Sequence, residues 1–318
     1  MVASDIYEVP IEIRALGTAS VYLVRTDQNK FLVDSGMRPS TCGELERMGA
    51  DLRGLDAILI THMHLDHLGG AMEIKRKYGA EIIMGKEDAL LTEMIGEDHL
   101  GFLNMLKSLC KSNGVPESVL GQLMRDHPMH REYTRYSEME IDHKVDTPQS
   151  LLNDSSLKAL ITPGHSPGSI SPYLDSGEIF VGDLVLKTIT PNISFYDDAA
   201  DTLSTYLQTL QMVKKYNFTR SNPGHGKPFD NLNNRISEIE LHHGKRLEEV
   251  LGIVRENYRN AFEITLAMKW SRGRSFDSMN DLERNFAFGE AVSHIRKLAN
   301  DGLVETSERN GIKYYRAS

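Results

Sequence analysis

Three histidines and an aspartate lie within the six residues from His62 to His67, directly after the apolar stretch 57–60. Imidazole nitrogens and carboxylate oxygens are ligands for zinc, iron and related divalent ions, and few other roles bring four such groups into one turn of chain. His62 and His64 are two residues apart, so on an extended segment both point to one side, whereas Asp66 and His67 can turn toward a second position. The cluster therefore predicts a metal site, with a second ion beside the first.

Three later segments supply further candidate ligands, which the cluster needs because a bound ion also requires other protein ligands and an open position for water. These candidates are His165 in the segment TPGHSPG, Asp183 in VGD and His225 in PGHG. Glycine flanks each of them and allows the tight turn that aims a side chain back at a shared centre. An aspartate between two ions can bridge them, and Asp183 is the candidate for that position.

The surrounding pattern is that of an α/β protein. Strands are predicted for 19–24, 30–34, 55–60, 81–83, 157–161 and 179–181, and helices for 72–78, 201–217, 235–258 and 288–300. From about residue 87 apolar residues recur every three or four positions, which predicts an inserted helical lid over about 87–145. Near the C-terminus a hairpin is predicted to turn at Asn310–Gly311, a dipeptide suited to a type I′ turn. Helices followed by a small hairpin indicate a winged-helix module.

The ordered set His-x-His-x-Asp-His, Gly-His, Gly-Asp and Gly-His resembles the metallo-β-lactamase superfamily. That fold is an αββα sandwich with a dinuclear site at one edge. The resemblance implies a first ion held by His62, His64 and His165, a second ion held by Asp66, His67 and His225, and Asp183 bridging the two. It also matches Asp34, at the end of its strand, to an early aspartate of the family that orients the ligand loop.

Residues 182–198, the pair His242–His243 and the C-terminal module are similar to a glyoxalase II-like subgroup of hydrolases with a C-terminal winged helix. The expected fold class is therefore α/β, an αββα sandwich with a helical insertion and a small C-terminal winged-helix domain. The expected domains are 1–234, catalytic with the lid at about 87–145, and 235–318, a connecting helix and winged-helix-like domain. Redox members of the superfamily usually carry glutamate where His64 stands, so the resemblance favours a hydrolase.

The expected function follows from the charge of the implied ligands. Two carboxylates face the four positive charges of two divalent ions, and such a centre acidifies water and attracts anions. We expect a metal-dependent hydrolase in which hydroxide on the two metals cleaves a small anionic ester or thioester, with Asp66 as the catalytic residue that orients the hydroxide. The expected cofactor is two divalent ions, zinc, with iron and manganese left open. Ser166 lacks the Gly-x-Ser-x-Gly setting of a nucleophile.

Two other functions remain open at this stage. The first is a nuclease or phosphodiesterase that acts on single-stranded RNA or DNA, and the second is a DNA-binding regulator with the metal domain as sensor. A net charge of −9 argues against a protein whose whole surface binds nucleic acid. Basic residues of the module are nearly balanced by acidic ones, which favours packing or dimerisation; they are Lys269, Arg272, Arg274, Arg296 and Lys297. The expected partner is a small-molecule substrate, with a homodimer left open.

The expected location is the cytoplasm. The two cysteines, Cys42 and Cys110, form no Cys-x-x-Cys pattern and imply no disulfide framework. The first ten residues lack the basic start and apolar core of a signal peptide, and no stretch approaches the length of a membrane span.

The adjacent His242 and His243 lie in a predicted helix. Neighbours on a helix point about 100° apart, so the two rings cannot easily serve one ion. Hydrogen bonding at the helix surface or between domains is the favoured interpretation.

Overall fold

The computed structural model describes residues 5–13, 17–125, 132–270 and 273–318. The strands are β1 (Asp5–Ile13), β2 (Gly17–Arg25), β3 (Lys30–Val33), β4 (Ala57–Ile60), β5 (Glu81–Gly85), β6 (His143–Val145), β7 (Gln149–Leu151), β8 (Asp154–Ile161), β9 (Ile170–Leu174), β10 (Glu178–Gly182), β11 (Arg220–Pro223), β12 (Val304–Arg309) and β13 (Ile312–Ala317). The helices are α1 (Thr41–Arg47), α2 (Leu65–Leu68), α3 (Ala71–Tyr78), α4 (Lys86–Glu97), α5 (His99–Ser112), α6 (Glu117–Arg125), α7 (Tyr133–Ser137), α8 (Thr202–Val213), α9 (Leu232–Ile253), α10 (Ala261–Ala267) and α11 (Asp281–Asn300).

The chain divides into two compact units. The first comprises the described residues of Met1–Glu97, Thr134–Pro191 and Thr209–Ile236, and the second those of Asp98–Tyr133, Asn192–Gln208 and Ser237–Ser318. The chain passes into the second unit for the last time within α9, and the second unit also includes described residues of 98–133 and 192–208, so the division predicted at residue 235 stays a prediction. The predicted lid contributes to both units, and its residues 126–131 lie outside the described ranges.

The first unit contains two sheets whose strand directions decide where the polar loops meet. One sheet has the order β1-β2-β3-β4-β5-β6, and β3 to β6 are parallel. The other has the order β11-β10-β9-β8-β7, in which β8, β10 and β11 run in one direction, with β9 antiparallel between β8 and β10. Parallel strands end at the same edge of a sheet, so the loops after β8, β10 and β11 emerge together.

A continuous apolar core joins the two sheets face to face. It includes Phe31 and Leu59 from the first sheet and Leu157 and Phe180 from the second, all fully buried. The rings of Tyr22 and Phe180 meet edge to face with their centroids 5.4 Å apart. Burying each large apolar side chain stabilises such a core by about 1.5–3 kcal/mol. The predicted αββα sandwich is confirmed, and this core fixes the separation of the sheets.

The second unit is mainly helical and ends in the antiparallel pair β12-β13. Capping boxes start two of its helices, because Asn260 exchanges hydrogen bonds with Glu263 and Asn280 does the same with Glu283. Asn310 and Gly311 have φ values of 53° and 77°, which confirms the turn predicted for the hairpin. A small C-terminal sheet is therefore present, and its classification as a winged helix stays a prediction.

Several helix ends differ from the predicted ones. The helix predicted over 201–217 ends at Val213, and that predicted over 235–258 is Leu232–Ile253. The last helix begins at Asp281 and not at residue 288, because the capping box at Asn280 starts it earlier than the apolar pattern does. None of the described helices is long and apolar enough to cross a membrane.

A buried pair of histidines holds α9 and α11 together within the second unit. His294 donates its Nδ1 proton to the Glu290 carbonyl at 2.6 Å, so its neutral Nε2 accepts from Nδ1 of His243 at 3.1 Å. Nε2 of His243 then has no hydrogen-bond partner among the described residues. His242, by contrast, is partly exposed, 4.0 Å from Glu290. Hydrogen bonding, the favoured interpretation, therefore applies to His243, and it lies inside one unit.

The pair predicts a loss of stability in mild acid. Burial, then the neighbouring His294, His242 and Arg246, lowers the pKa of His243 to about 2, and burial lowers the pKa of His294, although Glu290 opposes this. Unfolded histidine titrates near pH 6.5, so below that pH the unfolded chain binds protons that the folded pair rejects. Each histidine therefore reduces the free energy of unfolding by up to about 1.4 kcal/mol per pH unit between pH 6.5 and 5.

The single tryptophan, Trp270, lies in the second unit and reports on its unfolding. Denaturant unfolding followed by tryptophan fluorescence from pH 7 to 5 should give a shallower pH dependence for His243→Asn, which retains a donor toward His294, than for the wild type. An identical slope in both proteins would show that His243 gains no proton on unfolding.

Candidate metal centre

The predicted ligands all lie at one edge of the sandwich. The segment 61–67 follows β4, where His62 and His64 precede α2 and Asp66 and His67 fall in its first turn. Three more ligands follow strands of the other sheet: His165 comes after β8, Asp183 after β10 and His225 after β11. The strand directions thus bring residues that are far apart in sequence to a single point.

Distances between side chains describe a compact cluster. Nε2 of His165 is 3.0 Å from Nδ1 of His64, and Nε2 of His225 is 3.1 Å from Oδ2 of Asp66. Three groups have ligand atoms within 4.8 Å of one another: His62, His64 and His165; Asp66, His67 and His225; and His62, His67 and Asp183. The first two match the two ligand sets that the resemblance implies.

Asp183 lies between these two sets. Its Oδ1 is 3.7 Å from Nε2 of His67, while its Oδ2 is 3.8 Å from Nε2 of His165 and 3.6 Å from Nε2 of His225. One carboxylate therefore faces histidines of both sets, which is the position expected of a bridging ligand.

Hydrogen bonds behind the ligands fix which ring nitrogen faces the centre. Nδ1 of His67 donates to Oδ2 of Asp34 at 2.7 Å, and Asp34 also accepts the Thr61 amide at 2.8 Å. Nδ1 of His225 donates to the Thr18 carbonyl at 3.0 Å. When these rings are neutral, Nε2 is the nitrogen that carries a lone pair toward the cluster. Asp34 therefore holds the orienting position expected from the sequence.

The donor set fits a divalent cation. Nε2 of His62, Nε2 of His67 and Oδ1 of Asp183 are buried and have no hydrogen-bond partner among the residues that the structure describes. A buried polar atom without a partner costs about 1–3 kcal/mol. A cation at this point would satisfy all three, and imidazole nitrogens with carboxylate oxygens are suitable ligands for it.

The electrostatics of the cluster divide the histidines into two kinds. Burial lowers the pKa of His64 to about 3, with His165 adding to the effect. Burial also opposes protonation of His67, but Asp34, Asp66 and Asp183 outweigh it and raise the pKa of His67 to about 10. Burial likewise would raise the pKa of Asp66, yet His67 and His225 hold it below its usual range. The carboxylates therefore stabilise positive charge on the side of the cluster that holds His67.

Glycine is required where backbone and ligands crowd together. A Cβ at Gly224 would lie 2.5 Å from Cε1 of His67 and 2.6 Å from Oδ1 of Asp183. Gly182 has a φ of 48°, and a Cβ there would lie 2.7 Å from Oγ1 of Thr61. Gly224, which precedes His225, thus provides space for two ligands, and Gly182, which precedes Asp183, provides space for Thr61 beside His62, in addition to the tight turns expected of them.

Asp88 was not predicted from the sequence, although it contacts both loops that carry the first set of histidines. It is fully buried in the first turn of α4 and accepts hydrogen bonds from the Met63 and Gly168 amides at 2.9 and 2.5 Å. Burial raises the pKa of Asp88 to about 6, and the donors around it oppose this shift. The only local signal is an acidic residue just after an apolar strand, which is too common to identify it.

Several known proteins are similar to this chain. The model of the metallo-beta-lactamase superfamily matches residues 14–225. The chain is 25% identical to the beta-lactamase-like protein 2 homolog of Caenorhabditis elegans, over 93% of this chain and 83% of that protein. It is 23% identical to an atrochrysone carboxyl ACP thioesterase of Cryptosporiopsis, over 92% of this chain and 78% of that protein.

The fold is also similar to a solved structure. A metallo-beta-lactamase family protein from Thermus thermophilus superposes with a TM-score of 0.79 at 21% identity and covers 98% of both chains. This likeness concerns the fold, and it extends over both units of the chain.

A methyl group at Gly224 is expected to displace two ligands without changing any donor atom. Gly224→Ala should bind less than half of the divalent metal that the wild-type chain retains after dialysis, because a contact of 2.5 Å forces His67 or Asp183 to move. Metal content measured by inductively coupled plasma mass spectrometry checks this. Gly252→Ala is the control, since a Cβ there meets no atom within 4 Å. Equal metal content in Gly224→Ala and the wild type would contradict the ligand positions.

Proposed function

The chain belongs to the metallo-beta-lactamase superfamily and is a metallo-hydrolase, and from this premise we propose that it cleaves a small anionic ester or thioester at a centre of two divalent ions. One observation carries the proposal. Nε2 of His62, Nε2 of His67 and Oδ1 of Asp183 converge while buried, and they lack hydrogen-bond partners among the described residues. Buried polar atoms without hydrogen-bond partners destabilise the folded chain, and a bound cation would remove this destabilisation.

The residues that would hold the ions fall into the two sets described above. His62, His64 and His165 would hold one ion, Asp66, His67 and His225 the other, and Asp183 would contact both. We propose zinc, for which five imidazoles and two carboxylates are suitable ligands, as they also are for iron and manganese. When bound, such ions lower the pKa of water to about 7 and polarise a carbonyl oxygen.

Asp66 is the residue that we propose to orient the attacking water. Its backbone is fixed in the one-turn helix α2, and its carboxylate faces the cluster, where Oδ2 lies 3.1 Å from Nε2 of His225. The positive surroundings keep Asp66 ionised, so it acts only as a hydrogen-bond acceptor. An acceptor in a fixed position selects one orientation of the water, with a lone pair directed at the substrate carbon.

Charge favours an anionic substrate. The two carboxylates of the ligand set, Asp66 and Asp183, offset only half of the charge of two divalent ions, so the loaded centre carries excess positive charge. The ester or thioester class is supported by the similarity, over most of the chain, to a protein named as an ACP thioesterase. A carbonyl group attacked by water develops negative charge on its oxygen, which the same excess charge stabilises.

Several basic residues of the C-terminal module are already engaged within the second unit, which favours a small molecule over nucleic acid. Arg296 is 8% exposed and donates to the Asp197 carbonyl and to Asp198. Lys297 pairs with Asp301 at 3.0 Å, and Arg274 pairs with Glu283 at 2.7 Å; Arg272 lies outside the described residues. Phosphate contacts would have to break these pairs. Packing or dimerisation is the role that we propose for this module.

Removing one negative charge at Asp66 tests the proposal. Asp66→Asn keeps the size of the side chain but weakens both its hold on a cation and its ability to orient water, so the turnover of a thioester should fall by about 100-fold or more. Asp175→Asn is the control, because Asp175 is exposed and pairs with Lys158 at 2.6 Å. It should keep wild-type turnover.

The assay is hydrolysis by zinc-loaded protein of a panel of thioesters, lactones, phosphodiesters and single-stranded RNA. The proposal predicts turnover of carbonyl substrates with a dependence on added metal. Cleavage of phosphodiesters or RNA alone, or an Asp66→Asn variant as active as Asp175→Asn on thioesters, would overturn it.

A further inference from the structure

Asp88 connects the two loops that carry the histidines of the first proposed ion. Its Oδ2 accepts from the Met63 amide at 2.9 Å and from Oγ of Ser166 at 2.5 Å, and its Oδ1 accepts from the Gly168 amide at 2.5 Å. Met63 lies between His62 and His64, and Ser166 follows His165. Each of these three histidines is therefore one residue away from a direct contact of Asp88.

Close backbone packing fixes Asp88 in this position. A Cβ at Gly168 would lie 2.1 Å from the Asp88 amide nitrogen, and a Cβ at Gly85 would lie 1.9 Å from the Gly168 carbonyl oxygen. The start of α4 thus lies directly against the loop after β8, with glycine on both sides of the contact. The two backbone segments pack too closely to move apart or slide, so the amide groups of Met63 and Gly168 and the Asp88 carboxylate keep one arrangement.

Asp34 and Asp88 both support the loop after β4, but only Asp88 also contacts the loop that carries His165. Asp34 binds the His67 ring directly, and His67 belongs to the set with Asp66 and His225. Asp88 instead holds the main chain around His62, His64 and His165. The partners of Asp88 come from both sheets, because Met63 follows β4 whereas Ser166 and Gly168 follow β8. The separation between His165 and the other two histidines therefore depends on this carboxylate.

We infer that Asp88 is a positioning residue that presets His62, His64 and His165 for a divalent cation and so determines the affinity for one of the two proposed ions. This inference rests on the proposed metal centre. It predicts an asymmetry, since removing the Asp88 carboxylate should weaken the binding of one ion much more than the binding of the other. Residues behind metal ligands typically change affinity by about 10–100-fold.

Asp154 provides a matched comparison with an ordinary buried carboxylate. It is 1% exposed and accepts from Oγ1 of Thr26 at 2.7 Å and from the amide and Oγ of Ser156 at 2.9 and 2.6 Å. These partners lie outside the two ligand loops, because Thr26 follows β2 and Ser156 is at the start of β8. A variant at Asp154 should therefore lose stability much as a variant at Asp88 does, without a direct effect on any ligand.

The experiment compares Asp88→Asn with Asp154→Asn. In Asp88→Asn the new side-chain NH2 group replaces one carboxylate oxygen and faces a backbone N–H. One hydrogen bond is therefore lost, and two donors face each other. Metal-free proteins are titrated with Zn²⁺ in competition with a chromophoric chelator, and Co²⁺ absorption reports the ligand geometry. Thermal midpoints should fall in both variants. Only Asp88→Asn should lower the affinity for one of the two zinc equivalents, by about 10–100-fold, and only this variant should alter the Co²⁺ spectrum.

Ser166→Ala is a milder variant for the case in which Asp88→Asn does not fold. It removes one donor to Asp88 and should weaken the same zinc equivalent by up to about tenfold. Wild-type affinity for both equivalents in these variants, or a loss shared equally with Asp154→Asn, would overturn the inference. A wild-type chain that takes up fewer than two zinc equivalents would contradict the proposed function itself, and the inference would fall with it.

Discussion

Five imidazoles and two carboxylates packed against one another at the edge of a sandwich are stable only if something compensates their unsatisfied lone pairs. Three of these atoms have no hydrogen-bond partner among the described residues, and each costs about 1–3 kcal/mol. The rings cannot turn to find other partners, because Asp34 holds His67 and the Thr18 carbonyl holds His225. A bound cation would interact favourably with these lone pairs, and the surrounding hydrogen bonds hold the ligands in position to bind it.

The fold provides this arrangement through strand direction. Strands that run the same way end at a shared edge, and the apolar core between the sheets fixes how far apart those ends lie. Asp34 has a φ of 62°, an unfavourable conformation for a residue with a side chain. Its carboxylate is bound to His67 and to Thr61, so the surrounding contacts hold the strained backbone in place. Strain is thus located at the residue that orients the ligand loop.

Local patterns were sufficient to predict an α/β protein and to name the polar residues that meet, and the family resemblance implied the sandwich. His62, His165 and His225 each follow a strand or a glycine turn, and local patterns of this kind can be recognised without knowing the contacts. Short strands were missed when local signals opposed them. Strand β9, for example, contains Pro172 and Ser171, which are typical of loops, and it forms only because β8 and β10 pair with it on either side.

Contacts between distant residues explain what the sequence could not predict. Asp88 and Ser166 are 78 residues apart, and the packing of elements from both sheets brings them together. The second unit likewise gathers segments that are separate in sequence: Oγ of Ser293, for instance, donates to the Ile193 carbonyl at 2.9 Å. Neither contact has a local motif. Function in this chain therefore depends on recognisable ligands together with supporting groups that only the folded structure identifies.

The most direct test is an anomalous difference map from crystals of the protein grown with Zn²⁺. The account predicts two peaks separated by about 3.5–4 Å, the spacing of two-metal hydrolytic sites. One peak should lie among His62, His64 and His165, the other among Asp66, His67 and His225, with Asp183 in contact with both. A single peak, or no peak at this edge of the sandwich, would contradict the account.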